Sequence, residues 1–270
     1  MSELATMTLA ETALELISDD GEPLESDWHR VEMNLFIDLL RQAMAEAGRS
    51  DYFAGGNMFI YYSVEQARAI TTLPRAKWRH FRGPDVFLVT GIEPVTRERE
   101  WWAVWDEGGR YPNLIVELLS KSTAKIDRTT KKDIYERIFR TPDYIMYDRR
   151  SDRLEGFHLD NGVYQPIVPD PRGRMWLASV GMWIGRWQGE HKGTHTVWLR
   201  LFDSRGRLIP TPEEKEAAAR AWAAAAEVRA DEEKARADKE KARAAAAEAE
   251  LARLRTKLAA GPGKARRRRT

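Results

Sequence analysis

The sequence contains no cysteine among its 270 residues, which excludes disulfides and thiolate metal sites. No apolar run approaches the roughly 18 residues that a membrane helix needs. The N-terminus, MSELATMTLAETALELISDD, carries acids and no basic stretch ahead of an apolar one, so it does not read as a secretory signal. These absences lead to the expectation of a soluble, cytoplasmic protein. An excess of one charge is also lacking. Forty-four Lys and Arg face 42 Asp and Glu, a net charge of +2, too little to argue nucleic-acid binding from charge alone. The five histidines, His29, His80, His158, His191 and His195, show no metal-ligand spacing and read as structural. There is no nucleophile elbow and no phosphate-cradling glycine loop.

What is present divides the chain. Ten tryptophans, all but Trp222 before residue 200, indicate a substantial core. Charged residues reach 32%, above the usual quarter, and the excess lies after residue 210. Residues 1–26 read as a leader. A helix is expected from about Asp27 to Ala47, with Trp28, Val31, Leu35, Phe36, Leu39 and Leu40 on one face and Glu32 inside that face. Strands are expected at 56–64, 83–92, 113–119, 143–148, 153–159, 162–168 and 195–203. A helix should follow the third of these, with Asp127 as N-cap, Ile134, Tyr135 and Ile138 on one face, and Arg140-Thr-Pro142 as its stop. This order indicates one α/β (α+β) domain over residues 27–210, its mixed sheet covered on both faces.

Residues 211–260 change abruptly to Ala, Glu, Lys and Arg and read as a long charged helix. Ala221, Val228, Ala235, Ala242 and Ala249 recur every seven residues, but Asp231 and Asp238 fall where a coiled coil wants apolar side chains. A solitary helix held by i,i+4 pairs and a self-associating coil that makes a homo-oligomer both fit. Residues 261–270 form a basic tail.

The chemistry concentrates in charged residues placed where apolar ones belong. Asp85 opens the strand Val86-Phe-Leu-Val89, and Glu117 lies inside Leu114-Ile-Val-Glu-Leu-Leu119. A carboxylate within an apolar strand needs a partner. If these two strands are neighbours, the two carboxylates converge and repel unless a cation intervenes. Mg²⁺ suits such a pair, because it takes one or two carboxylates and fills its remaining positions with water and phosphate oxygens. A nearby lysine would orient a water or offset charge developing on phosphorus. That set is the minimum for hydrolysing a phosphodiester. The competing reading makes Glu117 a plain buried ion pair with Lys131 or Arg128.

The ordered motifs Gly83-Pro-Asp85-Val-Phe-Leu-Val89, then Asn113-Leu-Ile-Val-Glu117-Leu-Leu-Ser120-Lys-Ser-Thr123, then Asp127-Arg-Thr-Thr-Lys131-Lys-Asp-Ile-Tyr135, then Pro142-Asp-Tyr144 up to Asp148, resemble the Uma-two family within the PD-(D/E)XK nuclease superfamily. The resemblance implies a restriction-endonuclease-like core that binds Mg²⁺ (or Mn²⁺) and cleaves DNA, with Asp85 and Glu117 as metal ligands. One departure stands out. The lysine of Glu-x-Lys should occupy position 119, which is Leu119. Lys131 then looks like the migrated lysine, ahead of Lys121 and Lys132, because Tyr135 lies four residues on along the same face. Glu32 is similar to an extra acid that some members add to the site. Ser120, with Ser122 and Thr123, either joins the site or satisfies backbone groups between strand and helix. The alternative function is a catalytically inactive, nuclease-like interaction protein that associates through its C-terminal helix.

Overall fold

The computed structural model of the chain describes residues 26–72, 83–94 and 98–259. Most of the expected leader and the basic tail lie outside them. The chain separates into two compact units, residues 1–212 and 213–270. Among the described residues no helix is long and apolar enough to cross a membrane.

The first described element of the first unit is helix α1 (Asp27–Glu46), capped by Ser26, whose hydroxyl accepts the His29 amide at 3.2 Å. Then come β1 (Tyr52–Gly55), β2 (Ile60–Tyr61), α2 (Val64–Thr72), β3 (Val86–Thr90), β4 (Trp102–Ala103) and β5 (Leu114–Leu118). Helix α3 runs over residues 124–139 and leads to β6 (Asp143–Asp148), β7 (Arg153–Asp160), β8 (Val163–Pro166), β9 (Met175–Leu177), β10 (Met182–His191) and β11 (Thr194–Phe202). The main sheet has the order β1-β3-β5-β6-β7-β8. Within this sheet only β5 and β6 are parallel, joined by α3. Strands β9, β10 and β11 form a second, antiparallel sheet, and β2 pairs with β4.

The alternation of side chains along each strand explains how both faces of the main sheet are covered. Val86, Leu88, Val116 and Ile145 pack under α1 and the second sheet, with Leu35, Phe36, Leu39, Leu40, Ile184 and Leu201. Phe87, Val89, Ile115, Tyr144 and Met146 face the other way and pack with Trp102 and with Tyr135 and Phe139 of α3. Three local expectations change. Only Ile60–Tyr61 of the stretch 56–64 is extended, because Val64 already starts α2 and Ser63 accepts the Gln66 amide. Asp127 does not cap α3. Thr123 holds the cap position and Asp127 is buried one turn in. Ile138 turns out to solvent, 43% exposed, while Tyr135 points inward. Strands β1, β9 and β10 carried no expectation.

The described residues of the second unit form one helix, α4 (Pro212–Ala259), in which no residue is buried. Val228, Leu251, Leu254 and Leu258 of the seven-residue and terminal stripes are all exposed.

Glu32 ties α1 to the second sheet. It is fully buried, and both its carboxyl oxygens accept the Leu199 amide at 3.2 Å. Burial pushes its carboxyl from 4.5 up to about 8, although the Leu199 amide and the charges of Arg200 and Arg149 act the other way. Below its ordinary value Glu32 is protonated in both the folded and unfolded chain. As pH rises toward about 8 the unfolded chain ionises it first, so the fold loses stability across that window. Glu32→Gln keeps an acceptor for Leu199 and removes this decline. Urea unfolding at pH 5 and pH 8 should therefore show the variant losing less stability than the native chain, by on the order of a few kcal/mol. Equal losses in the two proteins would contradict the assignment.

Candidate active site

The register of β3 against β5 builds the site. Val86 pairs with Val116 in antiparallel fashion, so Asp85 at the entry of β3 comes beside Glu117 near the exit of β5. Both lie on the sheet face that carries Phe87 and Ile115, the face covered by α3. The Asp85 amide lies 3.4 Å from Glu117 Oε2, and Asp85 Oδ2 accepts the Leu118 amide at 2.6 Å. Glu117 is thus held by the Asp85 amide, and Asp85 by the amide of Leu118, the residue after Glu117. Gly56 keeps Asp85 in place from outside. A β-carbon at position 56 would lie 2.0 Å from the Asp85 carbonyl, and the Asn57 amide donates to that same carbonyl at 3.2 Å.

Helix α3 supplies the cation. Lys131 Nζ donates to Glu117 Oε1 at 2.9 Å and lies 3.1 Å from Asp127 Oδ1. The Tyr135 hydroxyl donates to the same Glu117 Oε1 at 2.9 Å. Asp127, Lys131 and Tyr135 are successive fourth residues. In a pure α-helix that spacing drifts around the axis, but α3 widens into π turns at Asp127–Lys131 and Tyr135–Phe139. The wider turn offsets the drift and keeps all three aimed at the sheet. Arg140, in the left-handed conformation with φ 52°, then ends the helix ahead of Pro142.

The position expected for the lysine of Glu-x-Lys holds Leu119, buried in the apolar cluster with Tyr135. The ammonium reaches Glu117 from the helix instead. Lys121 is exposed, and Lys132 points elsewhere, with its amine 4.2 Å from the Phe157 ring centroid. Ser120 bonds Ser122 and Thr123 in the turn between β5 and α3. Glu32 stands apart, engaged with Leu199. The residue that α1 brings to the site is His29, whose Nε2 lies 3.0 Å from Asp85 Oδ1. His29 and Asp127 were missed as site residues. Their place near Glu32 and Lys131 in sequence was a signal, but choosing between a helix residue and its neighbour three or four away needs the packing itself.

The electrostatics follow from burial. Glu117 is 1% exposed, and burial pushes its carboxyl up to about 8 against the pull of Lys131, with the charges of Asp127 and Asp85 adding to the rise. Burial alone would pull the Lys131 amine down, but Glu117, Asp127 and Asp85 outweigh it and hold it above its ordinary value. Lys131 therefore keeps its proton. Burial acts on Asp85 too, yet the bond and charge of His29, the charge of Lys131 and the Leu118 amide hold it below its ordinary value.

Three carboxylates, Asp85, Glu117 and Asp127, thus surround one ammonium. Among the described residues no group of three or more His, Cys, Asp or Glu is arranged to hold a metal ion by itself. Mg²⁺ does not need one, since one or two carboxylates suffice alongside water and phosphate oxygens. The residues present fit such an ion. Asp127 Oδ1 is buried without a hydrogen bond, within ion-pair reach of Lys131, and the contact to Glu117 Oε2 is long. The Asp85 side chain is 20% exposed, which opens the site on that side. A cavity of about 830 Å³ lined by Asp51, Glu93, Asp106, Glu107 and Arg110 lies elsewhere and includes none of these residues.

The Uma2 family model, described as "Putative restriction endonuclease", matches residues 2–185. The chain belongs to the Uma2 family. The matched span contains Asp85, Glu117, Asp127, Lys131 and Tyr135, and it ends within β10. No curated protein matches the chain. The Uma2 assignment agrees with the mixed central sheet and its flanking helices, and it suggests a nuclease.

Tyr135→Phe removes one of the two donors to the buried Glu117 oxygen and little else. Urea unfolding at neutral pH should show a loss of about 1 kcal/mol, the order for one hydrogen bond. An unchanged midpoint would mean that this hydroxyl does not hold Glu117.

Proposed function

We propose that this Uma2 protein is a Mg²⁺-dependent endonuclease that hydrolyses DNA phosphodiesters at the Asp85–Glu117 site. One observation carries the reading. Two carboxylates from adjacent strands meet on one face, with the Lys131 amine 2.9 Å from Glu117. A divalent cation held by Asp85 and Glu117 would supply Lewis acidity at a phosphoryl oxygen and make a bound water more acidic. The chain's own residues do the rest. His29 fixes the Asp85 carboxyl, and Tyr135 fixes that of Glu117. The Lys131 ammonium offsets negative charge developing on the phosphate oxygens.

Substrate would arrive at the end of the sheet where the parallel strands β5 and β6 finish together, Leu118 beside Tyr147. The segments that leave those strands carry Lys121, Lys125, Arg149 and Arg150, all exposed. Arg149 is propped over the Trp28 ring at 4.8 Å, next in sequence to His29. Cations placed this way hold a phosphate backbone without reading bases.

Supercoiled plasmid incubated with Mg²⁺ or Mn²⁺ should be nicked or linearised by the native protein. Glu117→Gln and Asp85→Asn should lower the rate by at least about 100-fold, the order seen when a group aimed at the developing charge is removed. Metal-independent cutting, or cutting that survives both substitutions, would overturn the reading. Arg149→Glu with Arg150→Glu should weaken DNA binding at every sequence tested and reduce the slope of log K against log salt by roughly two. An unchanged slope would remove this pair from the DNA path.

The alternative, a nuclease-like interaction protein that associates through α4, rests on Leu119 at the expected lysine position and on the exposed Leu251, Leu254 and Leu258. Sedimentation of the full chain against Leu251→Glu/Leu254→Glu tests the association. A dimer reduced to a monomer supports it, and a monomer in both contradicts it.

A further inference from the structure

The most unusual atom of the site is not on either proposed metal ligand. Asp127 is 1% exposed, and its Oδ1 is buried with no hydrogen bond. A buried carboxylate needs a charged partner, and the ion pair with Lys131 supplies it. The Lys131 amine lies only 3.1 Å away, yet its hydrogen bond goes to Glu117 Oε1 instead. Lys131 thus stands between two carboxylates, bonded to one and within reach of the other. The other Asp127 contact in the site is through its backbone, whose carbonyl accepts the Tyr144 hydroxyl at 3.0 Å. That bond anchors the residue on β6 and leaves the side chain for Lys131.

We propose that Asp127 is a standby acceptor for Lys131. When a divalent cation occupies Asp85 and Glu117, the Lys131 ammonium gives up Glu117 Oε1 and hydrogen-bonds Asp127 Oδ1. The proposal rests on the metal reading of the site given above. Its physical reason is repulsion. An ammonium bonded to Glu117 competes with a dication for the same carboxylate, and at this burial like charges cannot be ignored. Without a second acceptor the ammonium would have to remain on Glu117 or be buried alone. With Asp127 beside it, Lys131 keeps a charged partner and stays in the site, where its charge is needed. Asp127 is therefore a positioning residue, acting through Lys131, and the wide π turn that carries Asp127 to Lys131 serves to hold both on the sheet side of α3.

Calorimetric titration of Mn²⁺ into four full-length proteins tests this: native, Asp127→Asn, Lys131→Met and the double variant, each checked for folding by circular dichroism. Asp127→Asn should weaken Mn²⁺ binding by about 10-fold or more, the order found when a partner of a metal-site residue is lost. Lys131→Met removes the competitor and should bind Mn²⁺ more tightly than native. The double variant should match Lys131→Met, because Asp127 acts only through Lys131. If Asp127→Asn binds as native does, or weakens binding as much in the Lys131→Met background, the standby role is wrong. If the native protein binds no Mn²⁺, the metal reading itself falls and takes this proposal with it. A second measurement avoids Lys131 variants. In native protein with ¹³C-labelled aspartate, the Asp127 carboxyl resonance, assigned by its loss in Asp127→Asn, should shift when Mg²⁺ is added. A resonance that stays in place while Mg²⁺ binds would also overturn the proposal.

Discussion

The ion pair between Glu117 and Lys131 is the constraint around which the domain is arranged. Both groups are buried, and neither can stay charged there alone. Each of the surrounding elements contributes something to that pair. Strand β3 brings Asp85 to the neighbouring position, α3 widens so that Lys131 and Tyr135 both face Glu117, and α1 places His29 on Asp85. Around the Lys131 ammonium stand Glu117 and Asp127, with Asp85 beside Glu117.

The same arrangement accounts for the displaced lysine. Position 119 faces the side of the sheet that α3 covers, and Leu119 there belongs to the apolar packing with Tyr135 and Phe139. An ammonium at that position would lie in the apolar layer. Delivered from α3, it approaches Glu117 beside Asp127 and keeps an ionic partner on either side. The parallel pairing of β5 with β6 follows from the α3 crossover, and it brings the exposed cations after both strands to the end of the sheet where Glu117 lies. The proposed chemistry and the proposed DNA path therefore share one structural cause.

Much of this was legible in the sequence, and the reason lies in which signals are local. Glu117 stands out because a charge in an apolar strand contradicts its surroundings. Strands β5, β6 and β7 fall where alternation and apolar content place them, and β3 and β5, which their spacing left free to be neighbours, pair antiparallel. Lys131 was distinguishable from Lys121 and Lys132 through Tyr135, four residues away. What could not be read depends on contacts far apart in sequence. Glu32 and His29 lie three residues apart on one helix, and only the position of β11 decides that Glu32 goes to Leu199 while His29 goes to Asp85. Asp127 looks like a cap until the helix is seen to start at Ala124. Gly56 opens an expected strand, and nothing in the sequence shows that the Asp85 carbonyl lies against it. Nothing in the alternation of 52–64 distinguishes β1 from the irregular segment that follows.

The central claim is that Asp85 and Glu117 together hold a divalent cation. Diffraction from crystals of the native protein soaked in Mn²⁺, recorded near the manganese absorption edge, tests it most directly. The account predicts an anomalous peak in contact with a carboxyl oxygen of Asp85 and one of Glu117. The same soak with Asp85→Asn should give no such peak. Ordered carboxylates with no anomalous density between them at saturating Mn²⁺, while Lys131 remains on Glu117, would contradict the claim.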